Sequence, residues 1–287
     1  MKNISKILCL VIAFALVIVS SAGCTPKITN DKITVAVTIV PLAGFVKAVC
    51  GDKVNVITLI PPGYSPATYE PTPQQMIEFS DANICFAVGV PAEESMLSEA
   101  VPTVIRLQDI VSEVYPDRYF DDGGRDPHIW LSVKRVKIMV TEIASQMSAL
   151  DPVNADYYQS NAEEYLNQLD EVDLLLKAAV NEMDSKQFIV FHPAFGYLAE
   201  DYGLNMVALE EEGKEATAAH LQEVIDFAKA EGIKAIFYQE EIDSKQAQSF
   251  AEEIGGATVM LSPLAENYIE NILSMINTIK EVNSKND

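Results

Sequence analysis

Two runs of alternating strand and helix, separated by a long all-helical stretch, set the architecture open to this chain. KITVAVTIV at residues 32–40 is β-branched and apolar, reads as a buried strand, and stops at Pro41. A helix over 42–49, a strand over 54–60, a helix opening at Thr72, and strands over 83–88 and 103–107 follow. The Thr72-Pro73-Gln74-Gln75 stretch reads as a helix start, with Thr72 as N-cap, Pro73 at N1 and Gln75 at N3. From Lys134 to Met183 the pattern is helical, broken once at Asp151-Pro152, where Asp151 is a natural cap. Over 155–183, Tyr158, Ala162, Tyr165, Leu169, Val172 and Leu176 recur at steps of three or four. That spacing predicts one amphipathic helix of about 29 residues, roughly 43 Å long, more than a single small domain needs. Alternation then resumes, with strands over 188–191, 206–209, 234–238 and 258–261. Helices are expected from about 193, over 218–231 and 244–254, and from about 264 to 282.

The fold class that follows is α/β: two lobes, each a small mostly parallel sheet flanked by helices, joined by one long connecting helix. The expected division is an N-terminal lobe over 33–152, the connecting helix over 153–183 and a C-terminal lobe over 184–287. Ligands of such sheets collect at the carboxyl ends of the strands. PPGYSPATYEPTP, residues 61–73, follows a strand and so lies on that edge. Its five prolines stiffen a loop that carries no His, Cys or Asp.

The first residues read as a targeting segment rather than fold. Lys2 and Lys6 precede an apolar run from Ile7 to Val19, and small residues lead to Cys24. Ser21-Ala22-Gly23-Cys24 resembles a bacterial lipobox, although Ser21 stands where Leu is usual. The expectation is a signal peptide over 1–23 and a lipidated tether over 24–32, with Cys24 acylated on the extracytoplasmic face of the membrane. No later segment is long and apolar enough to span. Of the remaining cysteines, Cys85 lies in an apolar run and reads as a buried thiol; a Cys50–Cys85 disulfide stays open. The formal net charge is −22, which argues against a nucleic-acid partner.

Three histidines are present. His128 sits in RDPHIWL and His192 just past a strand in FIVFHPAFGYL, one before the long helix and one after it. Asp126 is close enough in sequence to orient a His ring. His220 lies on a polar helix face and reads as surface. Two imidazoles fall short of the four ligands zinc prefers. Acid runs follow two other strands: Glu210, Glu211, Glu212 and Glu215, and Gln239, Glu240 and Glu241.

On the lipobox, the strand–PPG–YEPTP–helix unit, the DPH-W motif, FHPAFGYLAEDYGL and PLAENY, the chain resembles the zinc/manganese-type (TroA-like and ZnuA-like) binding lipoproteins of ABC importers. The resemblance implies a divalent metal, zinc or manganese, held between two lobes and delivered to an ABC permease with its ATPase by a monomeric, non-enzymatic protein. It carries His128 and His192 over as ligands. It departs at Ala67, where the family usually has His, and at Ser262, where it usually has Asp. Family members also usually carry an acid at the position of Gln239, so Glu240 is the expected replacement ligand, with Gln239, Glu241, Glu211, Asp126 and Tyr64 as further candidates around it. The alternatives are the same fold holding a metal chelate or small organic ligand, or acting in cell adhesion. A metal-dependent hydrolase would need an open coordination position and a poised acid, and neither HExxH nor GxSxG occurs.

Overall fold

The computed structural model describes residues 32–97, 103–210, 214, 216–241 and 245–284. The expected signal peptide and Cys24 lie outside these residues. The N-terminal half holds β1 (Ile33–Val37), α1 (Val40–Cys50), β2 (Val54–Thr58), α2 (Pro73–Ser80), β3 (Ile84–Ala87), α3 (Glu93–Met96), β4 (Val104–Arg106), α4 (Leu107–Ser112) and α5 (Val133–Leu150). The connecting helix is α6 (Ala155–Asn181). Beyond it come β5 (Gln187–Val190), α7 (Gly196–Tyr202), β6 (Asn205–Ala208), α8 (Ala218–Glu231), β7 (Ala235–Gln239), α9 (Lys245–Glu253), β8 (Ala257–Leu261) and α10 (Tyr268–Asn283).

The eight strands form two sheets of the same order, β2-β1-β3-β4 and β6-β5-β7-β8, every pair parallel. In each, the chain leaves the first strand to one side and returns to the other, which makes a crevice at β1/β3 and at β5/β7. In the first sheet Glu93 closes that edge. It is 3% exposed, and its carboxylate accepts from the N–H groups of Val88 (2.9 Å) and Gly89 (2.8 Å) just past β3. In the second sheet the equivalent edge carries His192 and Gln239.

Local chemistry explains the element ends. Thr72 forms the expected capping box: its hydroxyl accepts from Gln75 N–H, and Gln75 Oε1 accepts from Thr72 N–H at 2.9 Å. β1 ends at Val37, short of the expected stop at Pro41; Pro41 instead lies in the first turn of α1, where its fixed φ suits the helix. Helix α6 runs 27 residues, about 40 Å. At the break before it, Asp151 works through its side chain, accepting from Tyr158 Oη and Asn154 Nδ2, both at 2.7 Å. Helix α10 starts at Tyr268 and not near 264: Asn267 occupies the N-cap position, residues 263–264 form a turn, and Asn271 Nδ2 donates to the Ser262 carbonyl at 2.6 Å.

One apolar core spans the first sheet, α1, α5, α6 and α10 and reaches Phe188, Val190 and Phe237 of the second sheet. A smaller one, with Ile189, Val224, Ile236 and Phe250, fills the outer face of that sheet under α8 and α9. Cys50 and Cys85 are buried free thiols rather than a disulfide. Burial pushes the Cys50 pKa up to about 12, so this thiol is inert at neutral pH.

Candidate metal centre

The centre is built on two turns that the sheets and the helical layer hold against each other. Pro127 and the short 3-10 turn Ile129–Leu131 fix the backbone at His128, which is 9% exposed. His192 comes two residues after β5. Its neighbour in the sheet is set by register: Val190 pairs with Ala208, Leu209 N–H donates to the Val190 carbonyl (2.9 Å), and Glu210 N–H donates to the Phe191 carbonyl (2.9 Å). Continuing the parallel ladder therefore brings Glu210 beside His192.

Each imidazole leans on a carboxylate through Nδ1. His128 Nδ1 lies 2.8 Å from Asp126 Oδ1, and His192 Nδ1 lies 2.6 Å from Glu210 Oε2. Asp126 is fully buried; it also accepts from His128 N–H (3.0 Å) and from Arg118 Nη1 (3.0 Å). Burial alone would raise its carboxyl, but the hydrogen bonds and charge of His128, with Arg118, outweigh this and hold it below the usual range. Burial lowers the His128 pKa against the upward pull of Asp126, so the ring is neutral at pH 7. Such pairing selects the Nδ1–H tautomer and leaves the Nε2 lone pair outward.

The two Nε2 atoms face each other at 3.4 Å, with ring centroids 5.2 Å apart and planes at 75°. Two acceptor lone pairs at that distance repel unless something electropositive sits between them. For Zn–N bonds of about 2.0–2.1 Å meeting at the tetrahedral angle, the nitrogens would stand roughly 3.3–3.4 Å apart. The spacing fits a cation and requires no movement of either ring.

Contacts across the cleft hold this arrangement. Trp130 stacks obliquely on His128 (5.2 Å), and its Nε1–H donates to the Pro263 carbonyl (2.9 Å). Tyr197 Oη of α7 accepts from Arg118 N–H (2.8 Å) and donates to the Asp126 carbonyl (3.2 Å). Arg135 of α5, buried, reaches Asp201 of α7 at 3.3 Å and lies 4.3 Å from the Tyr197 ring. A Cβ at Gly196 would stand 2.2 Å from Arg118 Nη1, so a larger residue there would push the guanidinium aside.

Beside the two histidines is a cavity of about 330 Å³, lined among others by Ala67, Arg125, Lys214, Gln239 and Pro263. Ala67 brings a methyl group where the loop could have offered a ligand. Gln239, the last residue of β7, is 6% exposed and lines the cavity. Glu240, expected from the sequence to be the replacement ligand, does not: it sits in the turn after β7 and is exposed. Glu241 is partly buried and burial raises its carboxyl, but it too is absent from the cavity wall. Tyr64 is 55% exposed, packs on Tyr69 (5.1 Å) and is not part of the cavity wall. Glu211 lies outside the described residues. The acid beside His192 is Glu210, one place earlier. The parallel register of β5 and β6 would have found it. His220, on α8, sits near the Ala208 carbonyl at 3.0 Å and takes no part in the pair. Among the described residues no three His, Cys, Asp or Glu side chains cluster as a ready metal cage.

The sequence profile of the family described as "ZnuA: Zinc-uptake complex component A periplasmic" matches residues 35–282. The chain belongs to this family. The high-affinity zinc uptake system protein ZnuA of Bacillus subtilis is 31% identical over 224 residues, 72% of this chain and 70% of that one. The zinc-binding lipoprotein AdcA of Streptococcus pneumoniae is 28% identical over 252 residues; this chain spans 50% of its length. A solved structure titled "Crystal structure of ZnuA" superposes with a TM-score of 0.83 at 32% identity, covering 88% of this chain and all of that one. The periplasmic zinc-binding protein TroA of Treponema pallidum gives 0.81 at 22% identity over 88% of this chain and all of that one, a likeness of fold. The ZnuA-family scaffold is therefore intact here.

Proposed function

We propose that this protein is an extracytoplasmic binding protein that captures a divalent transition metal, zinc or manganese, and delivers it to an ABC permease driven by its ATPase. The carrying observation is the pair of imidazole Nε2 atoms 3.4 Å apart, each ring held by a carboxylate through its other nitrogen. A nitrogen pair favours zinc over manganese, because imidazole suits zinc and manganese prefers oxygen. Asp126 and Glu210 place two negative charges one bond network behind the cation, and Arg118 offsets one of them. Membership of the zinc-uptake family supports the transport role. The protein acts by chelation as a monomer, tethered through Cys24, and performs no chemistry on its cargo. The cross-cleft hydrogen bonds and the helix α6 favour small movements on loading.

Isothermal titration of the protein with zinc in a non-coordinating buffer tests this. One zinc per chain is expected, with His128→Ala and His192→Ala each abolishing it. Full binding in both variants removes the assignment.

A further inference from the structure

We propose that Gly44 of helix α1, which is not part of the cavity wall, is a positioning residue for the metal centre: it seats the segment 262–267, and that seat holds Pro263 and Trp130 against His128. This deepens the two-histidine reading above and rests on it. Gly44 lies inside α1, where glycine destabilises a helix relative to alanine. Close backbone approach accounts for it. A Cβ at Gly44 would stand 2.1 Å from the carbonyl oxygen of Glu266 and 3.2 Å from its carbonyl carbon. An ordinary carbon–oxygen contact is about 3.3–3.6 Å, so any side chain there drives the segment or the helix back by about 1 Å. Neither has slack. The same carbonyl accepts from Tyr268 N–H at 2.9 Å, where α10 begins. Tyr268 is buried and lies edge-on to Phe45, the neighbour of Gly44, with centroids 5.1 Å apart.

The other end of the segment is at the metal. Pro263 and Leu264 line the cavity together with His128 and His192. The Pro263 carbonyl accepts from Trp130 Nε1 at 2.9 Å, and the buried Trp130 ring lies 5.2 Å from that of His128. Asn271 Nδ2 fixes the start of the segment through the Ser262 carbonyl at 2.6 Å. A shift of the Glu266 backbone therefore reaches His128 through Pro263, three residues away, and the indole between them. The Lys47–Glu266 ion pair at 2.8 Å lies beside the seat, but both side chains are about half exposed, so it contributes little. The seat is a backbone fit, which only glycine allows. It also joins α1 of the N-terminal half to a segment that follows β8 in the second sheet.

Trp130 is the chain's one tryptophan, so its fluorescence reports on the centre directly. The test compares the parent, Gly44→Ala, Asn271→Ala and Lys47→Gln by competition titration with zinc and by the emission maximum of the metal-free proteins. Gly44→Ala and Asn271→Ala should each bind zinc about tenfold more weakly and shift the emission. Lys47→Gln, which removes only the exposed ion pair, should match the parent in both. A lower melting temperature in Gly44→Ala with the parent's zinc affinity and emission makes Gly44 a packing residue and overturns the proposal. An equal loss in Lys47→Gln assigns the effect to the ion pair and overturns it too. If Gly44→Ala does not fold, Asn271→Ala decides on the same two readouts. A parent that binds no zinc overturns the two-histidine reading instead, and the metal-free emission still decides whether the seat sets Trp130.

Discussion

Glu210→Gln isolates what a carboxylate behind an imidazole does for the metal. The substitution keeps the side-chain shape and leaves an amide oxygen able to accept from His192 Nδ1, now 2.6 Å from the carboxylate. What disappears is the negative charge that would help balance a bound cation. Both side chains are largely shielded, at 11% and 16% exposure, so water does not restore that charge by screening. Loss of such a supporting group typically weakens metal affinity about tenfold to hundredfold, which is about 1.4–2.8 kcal/mol of binding free energy. Competition titration against a chromophoric zinc chelator at neutral pH reads this range directly. Glu210→Ala should fall at or beyond the upper end, because the ring then also loses the acceptor that fixes its orientation. A thermal melt of the metal-free protein separates binding from folding. The melting point of Glu210→Gln should stay within about 2 °C of the parent, since the isosteric amide keeps the shape and an acceptor for His192 Nδ1. Equal zinc affinity in the parent, Glu210→Gln and Glu210→Ala would refute the reasoning and reduce the His192–Glu210 contact to packing.

Gly196→Ala should leave the fold intact and weaken zinc binding about fivefold by calorimetry, because the new methyl displaces the Arg118 guanidinium from Asp126, the group that orients His128. Arg135→Met should destabilise the protein by about 3 kcal/mol in urea unfolding, toward the low end for a broken buried pair since Lys134 still faces Asp201 at 2.5 Å. Trp130→Phe removes the donor to the Pro263 carbonyl and should cost about 1 kcal/mol by thermal melt. Ala67→His adds a third nitrogen to the cavity wall and should tighten zinc binding about tenfold or more by competition titration.

The periodicity of 155–183 and the two flanking runs of alternation were enough to read two parallel sheets joined by a helix, because each pattern has one structural solution that buries its apolar face. His128 and His192 were legible for a related reason: each sits beside a proline at a turn, one on either side of the connecting helix. What period-two patterning does not carry is the strand's last residue. Charge favours Glu240 in the sequence, but β7 ends on Gln239, which lines the cavity, and Glu240 falls in the exposed turn beyond it. The acid beside His192 was hidden differently. Four glutamates follow β6, and composition cannot rank them. Only the pairing of Val190 with Ala208 places Glu210 next to the ring. Both corrections move in the same direction. Asp126 and Glu210 contact the imidazoles through Nδ1, and the residue of β7 that lines the cavity is Gln239 rather than an acid. Two imidazole nitrogens converge at 3.4 Å beside a cavity to which Ala67 contributes only a methyl group, so a nitrogen introduced at that position should raise affinity for zinc.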